Sequence, residues 1–492
     1  MARLAGHWQQ LRERYPADRL MVVFDIDGTI IDLRHMIRHV LQDFDRKQGS
    51  ELFAALQLDD IRVHEGRVDE LLSQLEIPGD LGERALRHYQ ERCWSSEAIL
   101  SSHQPFQGVL DVIRWFQLQH GTEIGLCTGR PEFLREDTLR SLNGLGEEYR
   151  VEFRSDRLYM NQSDWFMDPE SWRAEVIATK VEGLRYFKQA GYRIVAVIDN
   201  EPANIEAMAK AYRKDEILFL HADMLFPTET PTSGRSDVVG RYDITTLIPM
   251  ENLPRHIQLA QHAANSAEAL TAVDSERIHW AECDVRLDPL GRPVLRTQPF
   301  EDEPLGVDES LLLLDEALDL LKDSRTGLKL DLIGDGPLLD AVLETLRQSN
   351  FPPRRLWLCS LLELLGEEGF RRLREACPES TLQMPVDTFA PILLALPDEA
   401  ARLLDRFKSW GVDRFSVSWQ APQVRKLVRV IEDLGHDINI YDVPDLEGFL
   451  QAALLMPTSL SSGFGLTPDE APSAEERRGG RLPRVEPALS SS

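Results

Sequence analysis

Residues 22–32 read Val22-Val23-Phe24-Asp25-Ile26-Asp27-Gly28-Thr29-Ile30-Ile31-Asp32. An apolar run ends abruptly in two carboxylates one residue apart, followed by a glycine and a hydroxyl. Such a run predicts a buried strand, with Gly28 turning the chain as it leaves the sheet. In an open α/β sheet, ligands sit outside the carboxyl ends of the strands, where this pair of acids falls. Two aspartates so close repel each other unless a cation or a shared proton compensates. That chemistry suits Asp25 as a Mg2+ ligand and phosphoryl-accepting nucleophile. It suits Asp27 as the group that protonates a leaving oxygen and later deprotonates water. A bare D-x-D also fits a strand end with a solvated acidic turn, and the partners farther along decide between the two.

Outward from this stretch, the 492 residues predict more than one domain, with 42% hydrophobic and 28% charged residues as in ordinary globular chains. Asp plus Glu number 82 against 55 Lys plus Arg, a formal net charge of −27. A surface this acidic repels phosphate backbones and anionic membranes, which argues against a nucleic-acid partner. The five cysteines (93, 127, 283, 359 and 377) are scattered and form no C-x-x-C. Neither a disulfide framework nor a zinc cluster is indicated, and a reducing cytoplasm fits best. The first residues, MARLAGHWQQLRERYP, lack the apolar core of a signal peptide, and no apolar run of about 18 residues is present to span a membrane. The expectation is a soluble, cytoplasmic, multidomain protein.

Residues 33–105 carry helical periodicity at Leu33, Ile37, Val40, Leu41 and Phe44, at Val68, Leu71, Leu72 and Leu75, and at Leu86, Tyr89 and Cys93. Lying between the first strand and the next, this block is expected to be a helical cap over the Asp25 site. A helix over 109–120 and a strand over 123–127 follow, ending in Thr128-Gly129-Arg130-Pro131. A hydroxyl and a free N–H at a strand-to-helix turn hold phosphate oxygens, although an isolated TGRP is often a simple turn. Lys180 falls on an amphipathic helix, 174–189, where an ammonium either neutralises Asp25 and a phosphoryl group or merely faces solvent. The strand 193–198 ends in Asp199-Asn200-Glu201-Pro202, which sets Asp199 at the same sheet edge.

Strand–DxDGT, cap, strand–TGR, helix lysine and strand–DNE, in that order over about residues 8–248, resemble the haloacid dehalogenase superfamily. The resemblance implies a Rossmann-like parallel sheet with an inserted cap. Asp25 is then the nucleophile, Asp27 the acid/base, Lys180 the charge neutraliser, and Thr128 with Gly129 and Arg130 the phosphate contacts. Asp25, Asp27 and Asp199 would surround Mg2+. An aspartate at position 27 favours phosphate-ester hydrolysis over dehalogenation. Many members carry another aspartate a few residues after the last motif; here Asn204 occupies that region, and Asn200 and Glu201 are candidates to share the metal shell. The stretch from LYMNQSDW to IDNEPANIEAM also looks like the phosphatase half of polynucleotide kinase, against which the acidic surface argues.

Residues 226–240, FPTETPTSGRSDVVG, have linker composition. Beyond them, strand-like runs at 256–261, 278–287, 293–297, 328–333, 355–361, 381–386, 414–419 and 437–443 alternate with helical patterns at 311–321, 338–346, 361–376, 400–410 and 424–434. That predicts a β/α (TIM-type) barrel. The second and third runs are joined only by Asp288-Pro289-Leu290-Gly291-Arg292, a turn. Glu282 and Asp284 share one side of their strand, and Lys329 and Asp331 share one side of theirs. Acids and a lysine within apolar strands are costly unless paired or metal-bound, so either a salt-bridge network or a second divalent cation is expected. Gly334-Asp335-Gly336 reads as a phosphate cradle or simply a βα turn.

His262-Ala-Ala-Asn265-Ser266, Ala281-Glu282-Cys283-Asp284, Pro293-Val294 and Gly327-Leu-Lys329-Leu-Asp331 resemble the menorin family and, more distantly, glycerophosphodiester phosphodiesterases. The resemblance implies that His262 is catalytic, that Lys329 contacts substrate, and that Glu282, Asp284 and Asp331 surround a metal. Those families place a histidine where this chain reads Leu295-Arg296-Thr297, and a lysine where it reads Ile333. From about Ser459 the chain is rich in Pro, Ser, Gly and charged residues, and a disordered tail is expected. The expected domains are a phosphatase domain (1–248, cap about 33–105), a phosphodiesterase-like barrel (249–458) and a tail (459–492). Two functions remain open: an Mg2+-dependent phosphatase acting on a small phosphorylated substrate, its barrel cleaving or binding a phosphodiester, or a regulatory protein whose barrel is a degenerate phospho-ligand module.

Overall fold

The computed structural model describes residues 1–163, 169–224, 226–228, 237–249, 252–273, 278–306, 309–334 and 336–463. It divides into two compact units, Met1–Asn252 and Leu253–Ser492.

The first unit begins with helix α1 (Ala2–Arg14) and strand β1 (Arg19–Phe24), whose Leu20 to Phe24 are fully buried. A helical block follows, α2 (Arg34–Gln48), α3 (Val68–Gln74), α4 (Gly79–Arg92) and α5 (Ser96–Ser102), before α6 (Val109–Leu118) returns the chain to the sheet. Then come β2 (Thr122–Pro131), α7 (Arg135–Gly146), β3 (Leu158–Asn161), α8 (Pro169–Gln189), β4 (Tyr192–Asp199), α9 (Pro202–Ala211), β5 (Leu218–Asp223) and β6 (Val238–Val239). The six strands lie in the order β3-β2-β1-β4-β5-β6, all parallel. Parallel strands need coverage on both faces, which is why β1 reads as an uninterrupted apolar run. Met21 and Val23 pack with Leu184 and Phe187 of α8 and Met208 of α9. With β1 flanked by β2 and β4, the strand order reverses at β1, and the place where α/β sheets bind ligands is beyond its carboxyl end. The segment expected to be linker contributes Val238–Val239 to the sheet edge, and residues 229–236 of it lie outside the described residues.

The second unit contains β7 (Gln258–Gln261), α10 (Ala267–Ala272), β8 (Trp280–Leu287), β9 (Pro293–Leu295), β10 (Leu312–Leu313), α11 (Leu314–Leu321), β11 (Gly327–Leu332) and α12 (Gly336–Gln348). It continues with β12 (Leu356–Cys359), α13 (Leu362–Ala376), β13 (Thr381–Pro385), α14 (Ala390–Ala395), α15 (Pro397–Ser409), β14 (Arg414–Ser418), α16 (Val424–Asp433), β15 (Asp437–Tyr441), α17 (Leu446–Leu454) and β16 (Ser459–Ser462). Eight parallel strands close a barrel in the order β7-β8-β11-β12-β13-β14-β15-β16, with β16 pairing back to β7.

Two details correct the sequence reading. The 293–297 run is not a barrel strand: β9 pairs antiparallel with β8, because a five-residue turn cannot make the crossover that parallel pairing needs. The eighth strand is instead Ser459–Ser462, so the barrel runs past 458, and the tail expected from 459 is displaced at its start. Residues 464–492 lie outside the described residues, as does Asp335 of the Gly334-Asp335-Gly336 turn.

Candidate active site

In the first unit, Asp25 continues β1 through the bond from its N–H to Ile198 O (2.9 Å). The chain then winds on itself, the N–H groups of Ile30 and Ile31 both donating to Ile26 O (2.8 Å). Gly28 takes φ +75° in this turn, and a Cβ there would lie 2.3 Å from Asn200 Nδ2. Asp199 ends the neighbouring β4, so the two carboxylates share one sheet edge. Lys180 reaches them from α8. Its Nζ lies 2.5 Å from Asp25 Oδ1, 2.8 Å from Asp199 Oδ2 and 2.8 Å from Cys127 O. This reach depends on Gly183, three residues on, where a Cβ would stand 2.3 Å from Cys127 Sγ; any side chain would hold α8 off β2.

All three groups are buried. Burial drives the Asp25 pKa up to about 8, with Asp199 and Asp27 adding to it and Lys180 opposing. Burial alone would lower the Lys180 pKa, but Asp199 and Asp25 hold it above the ordinary lysine value. Asp199 is fixed further by the Glu201 N–H (2.9 Å) and Asn204 Nδ2 (3.1 Å), both on Oδ1. Asn204 thus acts as a donor to Asp199, and the Asn200 carbonyl bonds His221 Nε2 (2.8 Å).

Asp27 has a different partner. Both its oxygens are held by Arg130, from Nε (2.7 Å) and Nη2 (2.6 Å). Thr128, Gly129 and Arg130 lie within β2, which continues through the expected turn with its pairing to β3 irregular between Cys127 and Pro131. Thr128 is buried and its Oγ1 accepts from the Arg130 N–H (3.2 Å), with Gly129 against Val176. Arg130, expected on substrate, is placed on Asp27 instead. Two residues that the sequence reading left out, Trp94 and His103, also pack on its guanidinium. From the cap, His64 Nε2 approaches Glu201 Oε1 at 3.8 Å.

Magnesium ordinarily binds through one or two carboxylates plus waters and phosphate oxygens. Asp25 and Asp199 supply two carboxylates at one sheet edge, the number that demand calls for, with Lys180 Nζ held between them. Asp27 is held by Arg130 and not by Lys180.

In the second unit, Glu282 and Lys329 are register partners across β8 and β11, as are Asp284 and Asp331. Lys329 Nζ lies 2.8 Å from Glu282 Oε2 and 3.0 Å from Asp331 Oδ1. His262 Nδ1 lies 2.8 Å from Glu282 Oε1, and the next residue, Ala263, is held at φ +60°, a conformation that persists only where its surroundings enforce it. Burial lowers the His262 pKa, but Glu282 overrides it and brings it to about 9. Burial raises Glu282, yet Lys329 and His262 hold it well below the ordinary range. Asp331 is raised to about 7, by burial first and by Glu282 and Asp284, against Lys329.

Asp284 has other partners. Its Oδ2 accepts from Thr297 Oγ1 (2.6 Å) and Asn265 Nδ2 (3.0 Å). Thr297, which bonds Asp284, belongs to the stretch 295–297 where the menorin and glycerophosphodiester phosphodiesterase families place a histidine. The expected metal set of Glu282, Asp284 and Asp331 is not brought onto one point: Lys329 pairs with two of the acids and Asp284 is bonded to Thr297 and Asn265. Among the described residues, no three His, Cys, Asp or Glu side chains converge in a way that would hold a metal ion. Among the same residues, no helix is long and apolar enough to cross a membrane.

Residues 21–212 match the model of the haloacid dehalogenase-like hydrolases. No curated protein matches the chain. Among solved structures, the chain is similar to a phosphodiesterase of Oleispira antarctica in complex with sn-glycerol-3-phosphate, at 17% identity over 43% of this chain and 94% of that one, with a TM-score of 0.33. It is similar to a putative glycerophosphoryl diester phosphodiesterase of Agrobacterium tumefaciens, at 14% identity over 42% and 92%, with a TM-score of 0.34. It is also similar to a haloacid dehalogenase-superfamily hydrolase of Geobacter sulfurreducens, at 17% identity over 46% and 96%, with a TM-score of 0.29.

Proposed function

From a first unit whose residues 21–212 form a haloacid dehalogenase-like hydrolase domain, we propose that the protein is an Mg2+-dependent phosphatase acting on a small phosphomonoester. The observation that carries this reading is the convergence of Asp25 and Asp199 on Lys180 Nζ at the carboxyl edge of the sheet. Asp25 and Asp199 would hold Mg2+, which would neutralise charge and orient a phosphoryl group. A carboxylate oxygen of Asp25 attacks phosphorus as the bond to the ester oxygen breaks, and Asp27 gives that oxygen its proton. Water then attacks phosphorus of the aspartyl-phosphate, loses its proton to Asp27, and releases phosphate with the Asp25 carboxylate restored. Lys180 holds Asp25 in line and opposes the charge building on the phosphoryl oxygens. Thr128 and Gly129, at the carboxyl end of β2, are the phosphate contacts of this reading.

A net charge of −27 disfavours polyanions, so the substrate is a small phosphorylated molecule and not nucleic acid. The five cysteines are free and buried, which suits a reducing cytoplasm. The barrel is read as a phospho-ligand module rather than a diesterase, because Thr297 and Asn265 occupy Asp284 and Lys329 pairs the other two acids. His262 and Lys329 are the cationic groups that would meet the phosphate there.

Phosphate release from a panel of small phosphomonoesters, with Mg2+ or with EDTA, tests the first part. Metal-dependent release by the wild type, lost in Asp25→Asn, supports it; release that persists in Asp25→Asn refutes it. For the barrel, glycerol 3-phosphate binding without hydrolysis of bis(p-nitrophenyl) phosphate supports a binding module. Metal-dependent cleavage of that diester, lost in His262→Ala, makes it a second enzyme.

A further inference from the structure

Arg130 stands at the centre of a buried network that runs from the cap to Asp27. Its Nε and Nη2 form a fork on both oxygens of Asp27, and its Nη1 donates to Thr138 Oγ1 of α7 (3.0 Å). Its Nη2 also lies 3.4 Å from His103 Nε2, and the ring centroid of Trp94 lies 5.1 Å from its Cζ. Only 1% of the Arg130 side chain is exposed. A guanidinium has donors alone, so His103 Nε2 must be the acceptor, which places the imidazole proton on Nδ1, 2.9 Å from Ser141 Oγ. Burial and the charge of Arg130 hold the His103 pKa well below the ordinary histidine value, which preserves this neutral tautomer. Ser141 Oγ in turn donates to Ile99 O of α5 (3.3 Å).

Two of these partners belong to the cap or its hinge. Trp94 lies between α4 and α5, and His103 follows α5 directly. The residues after His103 make the hinge where the outgoing and returning chains meet. There the Asp32 N–H donates to Gln104 O (2.9 Å), the Phe106 N–H donates to Ile30 O (2.9 Å), and Ile31 bridges Pro105. Displacing the cap from the sheet therefore moves two groups packed on the Arg130 guanidinium.

We propose that Arg130 is a positioning residue that ties the placement of the Asp27 carboxyl to the seating of the cap. A fork fixes both the position and the plane of a carboxylate. When one oxygen of Asp27 takes up a proton for transfer, the other keeps its N–H···O bond and the carboxyl stays aimed. The role rests on the reading of Asp27 as the acid/base of phosphoryl transfer. In that step the ester oxygen needs a proton as its bond to phosphorus breaks if it leaves as an alkoxide, and needs little if it leaves as a nitrophenolate.

The test is kcat/KM, which reports the step of leaving-group departure, for p-nitrophenyl phosphate and for 2-glycerol phosphate. It is measured with Mg2+ on full-length wild type, Arg130→Lys, Trp94→Leu and His103→Gln, each checked by circular dichroism. We expect Arg130→Lys to lower the alkyl ester by about 10²–10³-fold, in the range of general-acid catalysis, and the nitrophenyl ester by less than about tenfold. Trp94→Leu and His103→Gln are expected to show the same inequality on a smaller scale, and they carry the test if Arg130→Lys fails to fold. An equal loss on both esters, or none, overturns the proposal while leaving the phosphatase reading intact. A wild type whose activity on either ester is insensitive to Asp25→Asn overturns that reading and the proposal with it.

Discussion

A hydrogen bond of 2.5 Å joins Lys180 Nζ to Asp25 Oδ1 across 155 residues of chain. The second unit repeats the arrangement independently: Lys329 is shared by Glu282 and Asp331 as Lys180 is shared by Asp25 and Asp199. In each, one buried ammonium serves two carboxylates. Removing one member of such a group leaves a charge that neither water nor a partner compensates.

Lys180→Met is therefore expected to destabilise the first unit by about 3–5 kcal/mol, the cost of breaking a buried ion pair from one side. At about 2–4 °C per kcal/mol for a unit of this size, its melting temperature falls by roughly 10 °C. Asp25→Asn keeps a polar partner for Lys180 and leaves it paired with Asp199, so below about pH 8, where Asp25 itself holds its proton, it should melt close to the wild type while losing turnover. Calorimetry of the full chain checks both. A Lys180→Met protein that melts with the wild type would show that the ammonium compensates nothing.

The raised Asp25 pKa makes stability pH-dependent. In the unfolded chain this carboxyl ionises near its ordinary value of about 3.9, whereas in the native state it holds its proton until about 8. Between those values the native state binds more protons, so the contribution is full below about pH 4 and is lost as pH rises through about 8. In EDTA, the melting temperature of the first unit should decline from pH 5 to pH 8 more steeply in wild type than in Asp25→Asn. Mg2+ saturating the site should flatten the wild-type slope, because a bound cation displaces the proton. A wild-type slope no steeper than that of Asp25→Asn would remove Asp25 from the account.

Gly183 tests how finely Lys180 is placed. An added methyl would stand 2.3 Å from Cys127 Sγ and 3.0 Å from Tyr159 Cδ1, so Gly183→Ala must push α8 away from β2. Misplacing a reacting group by about 1 Å can cost about 10²-fold in rate. The expected outcome is a kcat lower by about that factor with the helix content unchanged by circular dichroism. An unaltered kcat would mean that α8 absorbs the methyl without moving Lys180.

Much of this arrangement was legible in the chain and some was not, for physical reasons. The β1 run was plain because a strand buried on both faces must be apolar throughout, and Leu20 to Phe24 are. The barrel's last strand was not, because Ser459-Leu460-Ser461-Ser462 turns serines toward Arg414 and Asn439, so its burial leaves no apolar pattern. The 293–297 run misled in the opposite sense: Val294 and Leu295 are buried, but as an antiparallel ribbon beside the barrel. Arg130 read as a phosphate contact because the TGR turn is a local signal, whereas its carboxylate partner lies 103 residues away and only the fold brings them together. Trp94 and His103 sit in a cap whose periodicity reports helices and nothing of what they cover.

Lys329 sets the corresponding test for the barrel. Replacing it by methionine leaves Glu282 and Asp331 facing each other without the ammonium between them, and a cost of about 3–5 kcal/mol is expected in the barrel's unfolding. Glu282→Gln alone removes one acid but leaves Lys329 paired with Asp331 and His262 beside a neutral amide, a smaller loss. Combining the two changes removes an acid and its counter-ion together, so the double variant should be more stable than the sum of the single losses predicts, by about 0.5–3 kcal/mol of coupling. Urea unfolding of the four proteins measures that term. Strict additivity would mean that Lys329 and Glu282 do not compensate each other, and the case for a barrel held together by its own ion pairs would fail with it.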